Sequence, residues 1–189
     1  RRSRPAKTLV GPGPTQDELR VLLTAAARTP DHGKLEPWRF MVFEEKSLKR
    51  LVDLTNKRGE QLDKPPEKLL KTITALQTGA TMVAVVFSPR ESIKIPEVEQ
   101  ILSAGAVCLR LLNVSLASGW GANGLTDWIA TERVFLKQGL GLTDEEFVSI
   151  GEPKEWGVLP IRPMGATIRM TKDKRILIRN TAEVHNPYK

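Results

Sequence analysis

Between Glu97 and Ser118 the chain carries its longest helical pattern, and that pattern is apolar almost all the way round. Ile101, Leu102, Ala104, Ala106, Val107, Cys108, Leu111, Leu112, Val114 and Leu116 leave hardly a polar stripe. A surface helix shows one apolar face. A helix this apolar has to be covered on most sides, at the centre of a domain or in a subunit interface. The run Ser103-Ala104-Gly105-Ala106 adds small residues that let another backbone come close. Asn113 and Ser115 lie inside the segment, and each needs a hydrogen-bond partner once buried.

Upstream, Thr15-Gln16-Asp17-Glu18 forms a capping box, in which Thr15 and Glu18 satisfy each other's free N–H groups. The helix it opens puts Leu19, Leu22, Leu23 and Ala26 on one face. It ends before Pro30, which disfavours helical geometry in the residue before it. A polar turn, Asp31-His32-Gly33-Lys34, follows, and Glu36-Pro37-Trp38 leads into the strand-like run Phe40 to Phe43. Helix, polar loop and buried strand in that order are how a rigid scaffold presents a binding loop. This loop holds one of only two histidines in the chain, with Arg28, Lys34 and Trp38 beside it. An ordinary connection accounts for the same residues equally well.

Further along, Leu48, Leu51, Val52 and Leu54 mark a helix from Ser47 to about Asn56. Residues 57–66, charged and closed by Pro65-Pro66, read as a loop. Glu67 to Gln77 is a second helix, and Gly79 breaks its pattern. Ala80 to Phe87 is rich in β-branched residues and apolar on both faces, as a central strand should be. Ser88 to Pro96 is a second polar loop. Gly119-Trp120-Gly121-Ala122-Asn123-Gly124 reads as a glycine-rich turn. A dinucleotide fingerprint would follow a strand, and these glycines follow a helix. Thr126 to Leu136 is a short helix, and Phe147 to Gly151 is a strand closed by Glu152-Pro153. A Pro-rich stretch with Arg162 comes next. Then Ile168 and Met170, and Ile176 and Ile178, alternate as a hairpin or as extended arms.

The 189 residues suit one domain. No uninterrupted apolar run approaches the roughly 20 residues of a membrane span, and no secretory signal opens the chain. The first residue is not Met, so residues upstream are expected. One cysteine, Cys108, excludes an internal disulfide and fits the reducing cytoplasm. It sits in the apolar helix as an inert core thiol. The net charge of +7 is diffuse, thickening only at the first residues and in the tail, without interleaved aromatics. There is no Gly-x-Ser-x-Gly elbow, Walker loop or His-Glu-x-x-His, and no zinc spacing. His185, in the polar tail, reads as solvated.

Several of these features share one order. Arg1-Arg2-Ser3 precedes the capped Leu/Ala helix. The Pro30 to Pro37-Trp38 loop runs into a strand, and the apolar strand Met82 to Phe87 follows. The apolar helix ends in Gly119-Trp120-Gly121, and a late strand ends in Ile150-Gly151-Glu152-Pro153. In that order they resemble the nitroreductase family of FMN-dependent oxidoreductases, especially the small members whose loop reads Pro-Asp-His, here Pro30-Asp31-His32. The resemblance covers roughly residues 1–165, with residues 166–189 a basic arm of the same domain.

The resemblance implies an α+β fold, a mostly antiparallel central sheet flanked by helices, in an intertwined homodimer with FMN at the interface. It implies that Arg1, Arg2 and Ser3 bind the FMN phosphate and ribityl end, with Arg162 as a second phosphate ligand. Arg28 and His32 would approach the flavin, from opposite subunits, and Gly124, Leu125 and Thr126 would lie against it. The chemistry would be a hydride passed from NADPH or NADH through flavin N5 to a small organic acceptor, such as a nitroaromatic or quinone. That needs no catalytic side chain and no metal. Two positions depart from the family's habit: Lys34 stands where Asn is frequent, and Glu36 where Gln is. A Lys at the flavin N1–C2=O edge would stabilise an anionic reduced flavin by direct charge. Glu36 would pair with Lys34 or Arg39. The alternatives are a non-catalytic flavin or ligand binder with the same fold and, less favoured, a basic nucleic-acid-binding domain; neither a nucleic-acid nor a membrane partner is expected.

Overall fold

The apolar segment becomes α4 (Glu97–Ala117), and the sheet is laid against it. In the computed structural model residues 8–9, 11–78, 81–125 and 127–148 are described, together with the strand 167–172. The strands are β1 (Trp38–Phe43), β2 (Met82–Phe87), β3 (Trp120–Leu125), β4 (Phe147–Val148) and β5 (Thr167–Lys172). They form one sheet in the order β1-β2-β5-β3, with β4 paired to the other end of β2. Every pairing among them is antiparallel. Trp38 faces Phe87 and Phe43 faces Met82 across the β1–β2 ladder.

Two helical layers cover the sheet. On one side α4 packs on β2, β3 and β5, and α1 (Gln16–Ala27) packs on α4. On the other lie α2 (Glu45–Gln61), α3 (Pro66–Gln77) and α5 (Arg133–Leu140). There Phe43, Met82, Ala84 and Val148 meet Leu48, Leu51 and Leu136 around an apolar crevice of about 60 Å³. The α+β architecture and the antiparallel sheet are those expected. Strand β2 is buried at every position, which is why both of its faces had to be apolar. The Thr15–Glu18 capping box forms in full, and Cys108 is buried with its thiol on the Ala104 carbonyl.

Three local expectations are corrected. The stretch 57–66 is not a loop: α2 continues to Gln61 and only residues 62–65 connect it to α3. Most of its charges occupy the solvent side, while Gly59 is buried so tightly that a Cβ there would lie 2.5 Å from Leu69 Cδ1. Arg58 turns inward to a bidentate pair with Glu132, at 3.0 and 3.1 Å. The glycine-rich segment after α4 is not a turn but β3. Gly121 and Ala122 are buried, and small residues let the strand run close beneath α4 while its ladder with β5 supplies the order. The helix expected from Thr126 begins only at Arg133, capped by the Glu132 carboxylate on the N–H groups of Val134 and Phe135. Among the described residues α4 is the one helix long and apolar enough to cross a membrane, but Ala104, Val107, Leu111 and Ser115 are packed into the domain core. The Ser115 hydroxyl is satisfied by the Leu111 carbonyl.

The strand ends are tied by one ion pair. Arg39 on β1 donates through Nε and Nη2 to the two carboxylate oxygens of Glu146 at 2.7 and 2.9 Å. Glu146 is buried, and also accepts from the Thr143 N–H at 3.2 Å. The sequence Thr143-Asp144-Glu145-Glu146 has capping-box spacing, and this contact is one half of such a box although no helix follows. Hydrogen bonding from Arg39, opposed by burial and aided by the Thr143 N–H and the Ser88 hydroxyl, pulls the Glu146 carboxyl down to about 2. Its folded value lies below the ordinary 4.5, so its stabilisation is present above that value and lost as pH falls toward 2. Glu146→Gln is expected to cost about 1–3 kcal/mol at pH 7. In urea unfolding the gap from wild type should close between pH 4.5 and 2; a gap constant with pH would show that the pair does not carry this charge.

Candidate functional site

The loop between α1 and β1 is bent by three left-handed residues in a row of four. Gly33 has φ +73°, Lys34 +54° and Glu36 +47°. Glycine adopts that geometry freely; Lys and Glu pay for the Cβ–carbonyl crowding. Such strain persists only where the surroundings over-determine it, and it concentrates at functional sites.

The surroundings here are α4 and the loop before it. Asp31 accepts the Glu36 N–H on Oδ2 at 2.8 Å, closing the loop on itself. Its Oδ1 lies 3.2 Å from the Ser103 hydroxyl, whose single proton it shares with the Glu99 and Gln100 carbonyls at 3.1 and 2.9 Å, so the loop is seated on α4 by a shared bond. His32 Nδ1 lies 2.7 Å from Glu99 Oε2, one helical turn before Ser103. Two turns further on, Arg110 Nη1 donates to the Arg28 carbonyl at 3.1 Å. On the other side Ile95 occupies the space a Cβ on Gly33 would need, 2.2 Å from its Cδ1. At the exit, Ser88 N–H bonds the Pro37 carbonyl at 3.0 Å and ties the loop to the end of β2.

The structure therefore brings three of the expected residues onto one clamped loop. Arg28 caps the end of α1, and His32 and Lys34 sit on the 3-10 turn His32–Lys34. All three are exposed, and among the described residues neither Arg28 nor Lys34 has an ion pair. Gly124 and Leu125 lie on a different element, at the far end of β3, paired with Ile168 and Thr167. Arg1, Arg2, Ser3, Thr126 and Arg162 lie outside the described residues, as does His185. The expected Glu36 pairing does not form among the described residues: Arg39 is taken by Glu146, and the Glu36 side chain is exposed. Trp120 and Trp128 are core residues; Trp128 donates its indole N–H to Thr72.

Glu99 and Arg110 were not singled out in the sequence, and Ser103 was noted only as a small residue. Their signal was present: they are polar positions at helical spacing in an otherwise apolar helix. Beside them runs a second stripe, Val98, Leu102 and Leu109, exposed at 41%, 63% and 49%. The loop thus borders an uncovered apolar face. Chemically, the site offers two unpaired cations and an imidazole with one ring nitrogen engaged, next to apolar surface. That donor set suits an anionic ligand with a flat, partly polar ring. Among the described residues no group of His, Cys, Asp and Glu side chains is placed to hold a metal ion.

Comparison with known proteins gives a consistent picture. The sequence model of the Nitroreductase family matches residues 7–151. A Haemophilus influenzae protein named "Putative NAD(P)H nitroreductase" is 36% identical over 115 residues, 60% of this chain and 62% of that one. The match thus spans less than two thirds of that relative's length. An Escherichia coli protein, "Putative NAD(P)H nitroreductase YdjA", is 26% identical over 80% of this chain and 84% of its own. Among solved structures, a nitroreductase-like family protein from Bacillus cereus superposes with a TM-score of 0.67 at 17% identity, over 91% of this chain and 81% of that one. A structure from Desulfovibrio desulfuricans titled as a putative nitroreductase in complex with FMN gives 0.61 at 17% identity, over 88% and 79%. At these identities the structural likeness speaks to the fold.

Asp31→Ala is expected to release the loop while leaving the sheet intact. Loss of two hydrogen bonds should cost about 1–2 kcal/mol in urea unfolding. Hydrogen exchange should accelerate at residues 31–37 and stay unchanged in β1 and β2; acceleration spread over the sheet would show that the loop is not clamped through Asp31.

Proposed function

The chain belongs to the nitroreductase family, and on that premise we propose that it is an FMN-dependent NAD(P)H oxidoreductase acting on a small organic acceptor. The observation that carries the proposal is the clamped loop Arg28–Glu36, which presents cations and an imidazole on a strained backbone beside an uncovered apolar face. The Desulfovibrio desulfuricans relative in fold holds FMN, and the Haemophilus and Escherichia relatives are named for NAD(P)H.

The donor set fits FMN. The cofactor carries an anionic phosphate, a hydroxylated chain and a flat ring with a polar edge; Arg28, His32 and Lys34 offer charge and hydrogen bonds of matching kind. When bound, FMN would take a hydride from NADPH or NADH and pass reducing equivalents to an acceptor such as a nitroaromatic or quinone. The chain's residues would bind and orient. In this scheme Arg1, Arg2, Ser3 and Arg162 hold the phosphate, and Gly124, Leu125 and Thr126 line the ring. Lys34, with no ion-pair partner among the described residues, is free to place its charge at the ring's polar edge. The apolar stripe of α4 would be covered by a second copy of the chain, because a contiguous exposed apolar face of this kind marks an interface. Loop and stripe adjoin, so the cofactor would lie at that interface.

Purified protein supplied with FMN is expected to sediment as a dimer and to retain about one FMN per subunit, as one site per chain requires. Anaerobic NADPH or NADH should bleach its visible band. Protein that takes up FMN but is not reduced would be a binder without turnover; protein that takes up none would overturn the assignment of His32 and Lys34. Lys34→Ala should leave the fold intact and make the bound flavin's potential more negative by about 20–30 mV, the equivalent of one screened charge in a two-electron couple. An unchanged potential would remove Lys34 from the ring edge.

A further inference from the structure

We infer that Glu99 is a positioning residue of this site: it holds His32 as the Nδ1–H tautomer, so that Nε2 faces the ligand as a hydrogen-bond acceptor. The inference rests on the flavin reading above and names the residue and protonation pattern that the site would use.

The geometry starts from α4. His32 Nδ1 and Glu99 Oε2 are 2.7 Å apart, a distance at which the ring nitrogen donates to the carboxylate. A neutral imidazole has one N–H and one lone pair, so the nitrogen that donates to Glu99 leaves the other as acceptor. Left free, an exposed His–Glu pair would spend much of its gain on ordering two side chains. Here the backbone is ordered already. Asp31, the preceding residue, is fixed to Ser103 on the same helix face, one turn after Glu99. Ile95 closes the opposite side against Gly33. The imidazole is therefore delivered to Glu99 by a loop that Asp31 and Ile95 also hold.

The ring is also open to a ligand. The His32 side chain is 64% exposed and that of Glu99 44%, so the edge bearing Nε2 is not spent inside the domain. An acceptor there complements the two donors nearby: Arg28 and Lys34 suit phosphate and carbonyl oxygens, while Nε2 suits a ligand hydroxyl or ring N–H. FMN carries both kinds of group. Without Glu99 nothing among the described residues fixes the tautomer, and the ring would present a donor as readily as an acceptor.

The chain has only two histidines, so their imidazole ¹⁵N signals can be assigned with His32→Ala. In the FMN-free protein, in buffer alkaline enough for a neutral ring, His32 is expected to show the Nδ1–H tautomer, and Glu99→Ala to shift it toward Nε2–H. Glu99→Gln, whose amide oxygen still accepts, should keep the wild-type tautomer. FMN titration should give a Kd about three- to tenfold weaker in Glu99→Ala, near wild type in Glu99→Gln, and no weaker in Glu99→Ala/His32→Ala than in His32→Ala alone. A doubly protonated ring in the wild type, an unchanged tautomer in Glu99→Ala, or a Glu99→Ala loss that persists on the His32→Ala background would each overturn the inference. Wild-type protein that binds no FMN would instead overturn the flavin reading, whatever the tautomer.

Discussion

One helix has to be apolar on two sides and polar on a third, and the rest of the domain follows from how α4 meets that demand. Its first face, with Ala104, Val107, Leu111 and Ser115, is buried in the domain core. Its second, with Glu99, Ser103 and Arg110, holds the loop that follows α1. Its third, with Val98, Leu102 and Leu109, is left uncovered. A helix with one apolar stripe could do only the first job. Carrying three faces on 21 residues makes α4 both the spine of the core and the mount of the site.

The opposite layer is ordered differently, by paired charges. Arg39–Glu146 ties β1 to the approach to β4, and Arg58–Glu132 ties α2 to the start of α5. Each is bidentate, and the carboxylates also accept backbone N–H groups, two at Glu132 and one at Glu146. Net stabilisation from such pairs is modest because desolvation offsets the attraction. Removing one partner is costly, however, since it strands the other. Their effect is to fix which ends of which elements meet around the apolar crevice, where Leu and Phe contacts alone would tolerate sliding.

The sequence made the layered architecture legible wherever hydrophobic period alone decides structure. The two-faced strand 82–87, the capped helix from Gln16 and the apolar helix all stand where their patterns put them. Pattern failed where a single contact reverses composition. Residues 57–61 look like loop because their charges dominate, yet Gly59 against Leu69 and Arg58 against Glu132 keep them helical. Residues 120–125 look like a turn because glycine dominates, yet the ladder to β5 makes them a strand. Pairing with a segment more than 40 positions away leaves no local trace. The candidate loop divided the same way: its turn chemistry was legible between Pro30 and Pro37, but which polar positions of α4 would hold it depends on contacts across about 70 residues that local pattern does not carry.

The loop's conformation balances closely matched terms. Lys34 and Glu36 in left-handed geometry cost about 1–2 kcal/mol each. Against this stand the two hydrogen bonds of Asp31 and one to Glu99, each worth about 1 kcal/mol net, and the seating of Ile95 on Gly33. Sums this close mean that the loop is held rather than locked, and that its shape depends on α4 more than on its own sequence. Glycine at positions 34 and 36 would relieve the strain but would remove the ammonium at position 34. The chain keeps side chains at two positions where backbone energy disfavours them. Part of that compensation comes from within the loop, through Asp31 on the Glu36 N–H, and part from α4 and the segment before it, through Glu99, Ser103 and Ile95, so the loop keeps its shape only while it stays seated on that helix.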